Sequence, residues 1–293
     1  MTNEPSRTID LGIPGVRVGH WTDTTARTGC TVVLFPDGTT GSGEVRGGAP
    51  ATREFALLDP ANTVARIDAL VLTGGSAFGL ATADGVMDHC EEHEMGLPTT
   101  AGRVPIVVAM GLFDLAEGDP LVRPGAAQGL AAAQAATAGE VEFGGVGAGA
   151  GATVAKWRGV EQRRPGGLGA AVVRHGELVV AALVAVNASG EIDDGSAVAD
   201  LLAGTFDWPE VAREPFANTT IAGVFTNARL DKAGCYLVSQ SAHDGFARAL
   251  FPTHTRFDGD AVVAAAVGLV DAPIDVVRVL ATVAVESAVR SVA

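Results

Sequence analysis

The sequence predicts a layered α/β (α+β) sandwich, and three observations predict it. Short runs rich in Val, Leu, Ile and Thr alternate with alanine-rich helical patterns along the whole chain. Hairpin patterns interrupt that alternation, which speaks against a purely parallel sheet and for a layered mixture of sheet and helix. The 38 glycines and a hydrophobic content of 47% indicate tight backbone packing and many turns around a real core, not disorder. At 293 residues the chain has the length of one large domain or two ordinary ones.

The elements can be taken in chain order. Residues 30–36 and 68–73 are β-rich runs bounded by Gly and Pro. The second run enters Gly74-Gly75-Ser76-Ala77-Phe78-Gly79 and then a helical pattern through about Glu94. Residues 104–109 form the next strand, and an alanine-rich helix covers 125–138. Residues 170–174 and 178–186 form a hairpin ending at Asn187. The segment 189–217, with acidic residues, Gly and two prolines, is expected as a linker. A strand starts at Thr219, a helix spans 231–250, a strand starts at Asp260, and a helix starts near Ile274.

Composition narrows the function. A net charge of −14 argues against nucleic acid or an anionic membrane as partner, because phosphates need local positive charge. The three cysteines, Cys30, Cys90 and Cys235, are odd in number and widely spaced, so neither a disulfide framework nor a Cys-based zinc site is expected. The first ten residues lack the apolar core of a signal peptide, and no apolar run reaches the ~18–20 residues of a membrane span. The expectation is a soluble, cytoplasmic protein.

Several motifs carry possible chemistry, each beside a plainer reading. In Asn218-Thr219-Thr220-Ile221, a hydroxyl residue opens an apolar strand after a flexible segment. Cleavage before Thr219 would place a hydroxyl and a free amine on one residue. That amine has an ordinary pKa of about 7.7–8.0 and can serve as the hydroxyl's base. The plain reading is a surface turn. Asp258-Gly259-Asp260 is either a turn or a pair of carboxylates poised beside a nucleophile. Gly259 would leave the backbone at Asp258 freer than at Asp260. His89-Cys90-Glu91-Glu92-His93 fits H-x-x-E-H, with both histidines on one helical face as zinc ligation needs. Because they lie beside the apolar stripe, a solvated helix end is the expected reading. Gly74 to Gly79 approximates a nucleophile elbow, but Phe78 occupies the place of the second glycine. Gly145-Val146-Gly147-Ala148-Gly149-Ala150 fits a dinucleotide fingerprint, although the stretch after it is too short and broken for the required helix. Lys156 comes after that glycine-rich loop in a chain with only two lysines.

Taken together, these pieces resemble the family of nylon-oligomer hydrolases and L-aminopeptidase/D-amidase-esterases, which are self-processing N-terminal-nucleophile amidases. The carrying residues are A-N-T-T-I-A-G-V-F-T-N-A from Ala217 and H-T-R-F-D-G-D from His254. With them go G-V-G-A-G-A-G-A-T-V-A-K from Gly145, V-A-V-N-A-S-G from Val184 and P-G-V-R-V-G-H near the start. The resemblance covers nearly the whole chain after about Ile13.

That resemblance implies an αββα sandwich made as one precursor of residues 1–293 and cut between Asn218 and Thr219 into 1–218 and 219–293. It implies Thr219 as nucleophile, Asp258 and Asp260 as the acidic pair, Lys156 as the active-site lysine and Asn187 near the oxyanion. It implies no cofactor and no metal, a homo-oligomer (a tetramer), and a small peptide, amino-acid amide or ω-amino-acid oligomer as substrate. The chain departs from the family at Leu112-Phe113-Asp114, where the family carries a tyrosine. Phe113 cannot donate that hydroxyl's hydrogen bond. The competing classes are a zinc peptidase using His89, Glu92 and His93, and a non-catalytic nucleotide-binding module using the 145–151 loop.

Overall fold

Successive side chains of a strand point to opposite faces, so a strand that is apolar at every position must be covered on both sides. The computed structural model, which describes residues 7–209 and 218–292, meets that demand with four layers. One sheet runs in the order Gly167–His175, Leu178–Asn187, Thr219–Ala228, Ala261–Val270 and Thr40–Val45. The other runs Arg17–Asp23, Thr28–Leu34, Ala69–Thr73, Val107–Gly111 and Ala51–Arg53. Each sheet is antiparallel except for one central parallel pair, Thr219–Ala228 with Ala261–Val270 and Ala69–Thr73 with Val107–Gly111. A parallel pair needs a crossover, and the crossovers here contain the helices Lys232–Ala249 and Thr82–Glu92.

The period-two pattern assigns the faces. Val179, Ala181, Leu183 and Ala185 point between the sheets, where they join Leu70, Leu72, Val108 and Met110 of the other sheet. Val180, Ala182, Val184 and Val186 point outward against Val238, Phe246, Val277 and Val285 of the helices Lys232–Ala249 and Ile274–Arg290. On the far side, Val32, Leu34, Val71 and Ala109 are covered by Ala83, Val86 and Cys90 and by Ala132 and Ala133 of the helix Ala126–Gln134. The order is helix, sheet, sheet, helix: the expected αββα sandwich. Phe225 is fully buried in the middle, its ring 5.6 Å from that of Phe35. Burial of one such side chain contributes about 1.5–3 kcal/mol.

Some of the glycines are explained by helix contact. A Cβ on Gly85 would lie 1.9 Å from the carbonyl oxygen of Ala126, and one on Gly129 would lie 2.0 Å from that of Thr82. The two outer helices therefore meet backbone to backbone, which only glycine permits.

Two expectations change. The strand expected over 104–109 starts at Val107, because Pro105 has no N–H to give; Ile106 donates instead to Asp68 Oδ2 at 2.8 Å. The segment 189–217 is not simply a linker. Glu191–Ile192 pairs with Leu250–Phe251, and Ser196–Ala203 is helical; the remainder, 210–217, lies outside the described residues. Among the described residues, no helix is long and apolar enough to cross a membrane.

Candidate active site

Strand register gathers the site. Thr219 stands opposite Asn187, and the parallel pairing of Ile221 with Ala261 puts Asp260 beside Thr220. Thr219 is 4% exposed, and its hydroxyl donates to the carbonyl oxygen of Asn218, the residue before it. The hydroxyl of Thr219 thus rests on the carbonyl of the peptide bond that it would have to attack in order to free its own amine.

The Asp258-Gly259-Asp260 segment packs across Thr219. A Cβ on Gly259 would lie 2.7 Å from Thr219 Oγ1 and 2.8 Å from the carbonyl oxygen of Ala49. The glycine is required by this close approach and not by its own backbone angle, which is not left-handed. Facing glycines help: a Cβ on Gly47 would sit 2.2 Å from the Asp260 nitrogen. Arg46 and Gly47 donate their amides to the Asp260 carbonyl at 2.9 and 3.1 Å. Asp260 Oδ1 accepts the Thr220 amide at 2.7 Å, and Oδ2 accepts the His254 amide at 3.1 Å and ring Nδ1 at 2.8 Å.

Asp258 is equally enclosed, with 1% exposure. Its Oδ1 accepts the Ser189 amide at 3.1 Å, while Oδ2 accepts the Thr255 amide at 3.0 Å and the Thr255 hydroxyl. The freer backbone expected there is absent, because these neighbouring backbone and side-chain groups hold the segment. Burial, with the Asp260 charge second, pushes the Asp258 carboxyl up to about 6.

Asn187 and Lys156 form the other wall. Lys156 Nζ reaches Asn187 Oδ1 at 2.8 Å, Asn187 O at 3.1 Å, Thr153 O at 2.9 Å and Thr153 Oγ1 at 3.2 Å. Asn187 Oδ1 also accepts the Thr153 amide at 3.0 Å, and Asn187 Nδ2 donates to the Phe113 carbonyl at 2.9 Å. These contacts fix which end of the Asn187 amide faces which neighbour. Burial pulls the lysine down to about 7, against the raising effect of the nearby Glu117 and Asp258 carboxylates. Phe113 takes part through its backbone carbonyl, which does not depend on the missing tyrosine hydroxyl.

All six residues singled out from the sequence (Asn218, Thr219, Asp258, Asp260, Asn187 and Lys156) meet here. His254, Thr255 and Thr153 were missed as partners. His254 and Thr255 lie inside the H-T-R-F-D-G-D block and Thr153 inside G-A-T-V-A-K, but neither block says which side chains turn inward.

The competing motifs lie elsewhere or are spent. His89 corrects the expected solvated helix end: it is 4% exposed, and its ring stacks on that of His93 at 4.1 Å. Glu92 and His93 are exposed. Stacked rings do not converge their nitrogens, and His93 Nδ1 is taken by the His89 carbonyl at 2.8 Å. Among the described residues no cluster of His, Cys, Asp and Glu is suited to a metal. The 145–151 loop makes a single 3-10 turn, Gly147–Gly149, and opens no α-helix. Its amides are committed, Gly147 to Thr22 Oγ1 at 2.8 Å and Ala148 to Thr31 Oγ1 at 3.2 Å, which leaves no phosphate cradle. It leads instead to Thr153 and Lys156. Ser76 sits in a close-packed strand-to-helix turn, its amide on the Leu112 carbonyl at 2.8 Å.

Comparison with known proteins shows which family the chain resembles along its length. The family model for peptidase family S58 matches residues 11–293. An uncharacterised aminopeptidase of Mycobacterium leprae is 42% identical, over 89% of this chain and 78% of that protein. A 6-aminohexanoate-oligomer endohydrolase of Paenarthrobacter ureafaciens is 30% identical, over 90% of this chain and 76% of that protein. Among solved structures, a Burkholderia β-aminopeptidase aligns with a TM-score of 0.72 at 24% identity, over 100% of this chain and 88% of that one. The L-aminopeptidase D-Ala-esterase/amidase of Ochrobactrum anthropi, described as a variant of the Ntn hydrolase fold, aligns with a TM-score of 0.72 at 17% identity, over 99% and 87%.

Proposed function

Since this chain belongs to peptidase family S58 and is a hydrolase of amide bonds, we propose that Thr219 is its nucleophile, unmasked by self-cleavage after Asn218. The observation that carries the reading is the Thr219 hydroxyl seated on the Asn218 carbonyl under the Asp258-Gly259-Asp260 segment.

In processing, Thr219 Oγ1 attacks the Asn218 carbonyl carbon, the Asn218–Thr219 C–N bond breaks, and the acyl group passes from nitrogen to oxygen. Water then hydrolyses the ester, leaving the Asn218 carboxylate on residues 1–218 and a free amine on residues 219–293. In turnover, the Thr219 amine takes the hydroxyl proton as Oγ1 adds to the substrate carbonyl. The same proton passes to the departing amine, and water releases the acyl group. Asn187 and its neighbours face the developing oxyanion; one well-placed donor there is worth about 2.7–4 kcal/mol. Asp260 orients the start of the strand through the Thr220 amide, with Asp258 behind it. In its protonated form Lys156 offsets the Asp258 charge, and that positive charge would lower the pKa of the new terminal amine.

The aminopeptidase and 6-aminohexanoate-oligomer endohydrolase relatives support small amides as substrates: short peptides, amino-acid amides or linear ω-amino-acid oligomers. Intact-mass measurement under denaturing conditions tests the central step. Wild-type protein should yield fragments 1–218 and 219–293, and Thr219→Ala only the full-length chain without amidase activity. Efficient cleavage of Thr219→Ala would place the scissile bond elsewhere.

A further inference from the structure

The Asp260 carboxylate is gripped from two sides. Oδ1 takes the amide of Thr220, which ties it to the strand that Thr219 opens. Oδ2 takes two donors from one residue, the His254 amide at 3.1 Å and ring Nδ1 at 2.8 Å. To deliver both, His254 adopts a left-handed backbone with φ of 53°. A non-glycine residue there is uncommon, and a strained backbone persists only where its surroundings over-determine it. The imidazole is held in place: it lies edge-on to His243 at 4.8 Å and tilted against Phe246 at 6.0 Å. Burial pushes His243 down to about 3, so that neighbour is neutral, and the carboxylate that His254 Nδ1 meets is Asp260.

We propose that His254 is a positioning residue for this reaction, holding Asp260 in the orientation that serves Thr219 in both self-cleavage and turnover. The inference rests on Thr219 as the nucleophile. A histidine that merely closed the loop would need no ring nitrogen on Asp260, since its own amide already makes that contact. With Nδ1 as second donor, Oδ2 is held toward His254, and Oδ1 stays directed at the strand start. Removing the ring leaves the carboxylate with one donor on that side and freedom to rotate.

Two substitutions separate positioning from folding. His254→Gly accepts the left-handed backbone without penalty and keeps the amide, but loses Nδ1. His254→Asn also tolerates that backbone and returns an N–H near the Nδ1 position. Self-cleavage would be followed by intact mass, and turnover on whichever of L-alanyl p-nitroanilide, β-alanyl p-nitroanilide and linear 6-aminohexanoate trimer wild type hydrolyses fastest. His254→Gly should slow self-cleavage and lower kcat by about a hundredfold, with KM within about threefold, as expected for a displaced catalytic group. His254→Asn should recover to within about tenfold of wild type. Wild-type rates in His254→Gly overturn the proposal, as does a folded His254→Asn no faster than His254→Gly. Should the glycine variant not fold, the asparagine variant decides alone: within about tenfold of wild type supports the proposal, and anything slower overturns it. Thr219→Ala runs in parallel; if it cleaves itself and hydrolyses substrate at wild-type rates, the nucleophile reading fails whatever His254 does.

Discussion

Gly259→Ala puts the packing of the site to the sharpest test. Its backbone is not left-handed, so alanine is conformationally acceptable, and in a roomy site the change would stabilise by about 0.4–1 kcal/mol through the unfolded chain. This site is not roomy. The new methyl would meet Thr219 Oγ1 at 2.7 Å, the Ala49 carbonyl oxygen at 2.8 Å and Pro50 Cα at 3.2 Å. Comfortable separations are nearer ~3.5 Å, so something must retreat by roughly half an ångström or more. Ala49 is pinned, its amide on the Asp258 carbonyl at 2.8 Å, whereas the threonine hydroxyl turns about one bond. The nucleophile is therefore what moves. Overpacking of this kind costs about 1–3 kcal/mol of stability, and a displacement approaching 1 Å at a reacting atom costs about a hundredfold in rate. The expected result is a folded protein that processes itself about a hundredfold more slowly, scored by the fraction of full-length chain over time on a denaturing gel. Gly125→Ala is the control, since the nearest atom to its Cβ, Gln128 Oε1, lies at 3.5 Å; it should process normally. Wild-type processing in Gly259→Ala would refute the claim that this glycine exists to let the backbone reach Thr219.

The same geometry gives two further outcomes. Because the stacked His89 and His93 rings do not converge their nitrogens, prolonged treatment with a strong chelator should leave amidase activity unchanged and His93→Ala should be close to neutral; activity lost and then restored by zinc would contradict this. Because Asp258 is raised to about 6 in the fold from an ordinary 3.8, the folded protein holds that proton more tightly than the unfolded chain. The resulting stability is complete below about pH 4 and is lost as pH rises through about 6. Urea unfolding of the uncleaved Thr219→Ala chain should show that decline, and adding Asp258→Asn should flatten it; an unchanged slope would rule Asp258 out as its source.

The alternation of apolar and helical segments was sufficient to read the layered sandwich, because a strand such as Leu178–Asn187, apolar on both faces, has to lie between two covering layers. The strands Arg17–Asp23, Thr40–Val45 and Ala51–Arg53 went unread. Their sequences are broken by glycine, charge and hydroxyls, and they sit towards the sheet edges, where burial imposes a weaker pattern. The same weakness hid the helix Ser196–Ala203 in a segment whose acidic residues and glycines read as linker.

At the site, the chain alone determined which chemistry was available: a threonine opening a strand, two carboxylates separated by a glycine, one lysine after a glycine-rich loop and one asparagine closing a hairpin. Those residue types are informative because each carries its chemistry wherever it is placed. Their assembly was decided by tertiary structure. Strand register put Asn187 opposite Thr219, and a parallel pairing brought Asp260 to Thr220 across forty residues of chain. The role of Gly259 was decided there too, since a missing side chain has meaning only beside the atom it would strike. So was the burial of His89, which the stripe on its own helix had placed toward solvent. Hydrogen bonds and desolvation depend on distances of a few ångströms between segments remote in sequence, and only the packed fold brings those segments within that reach.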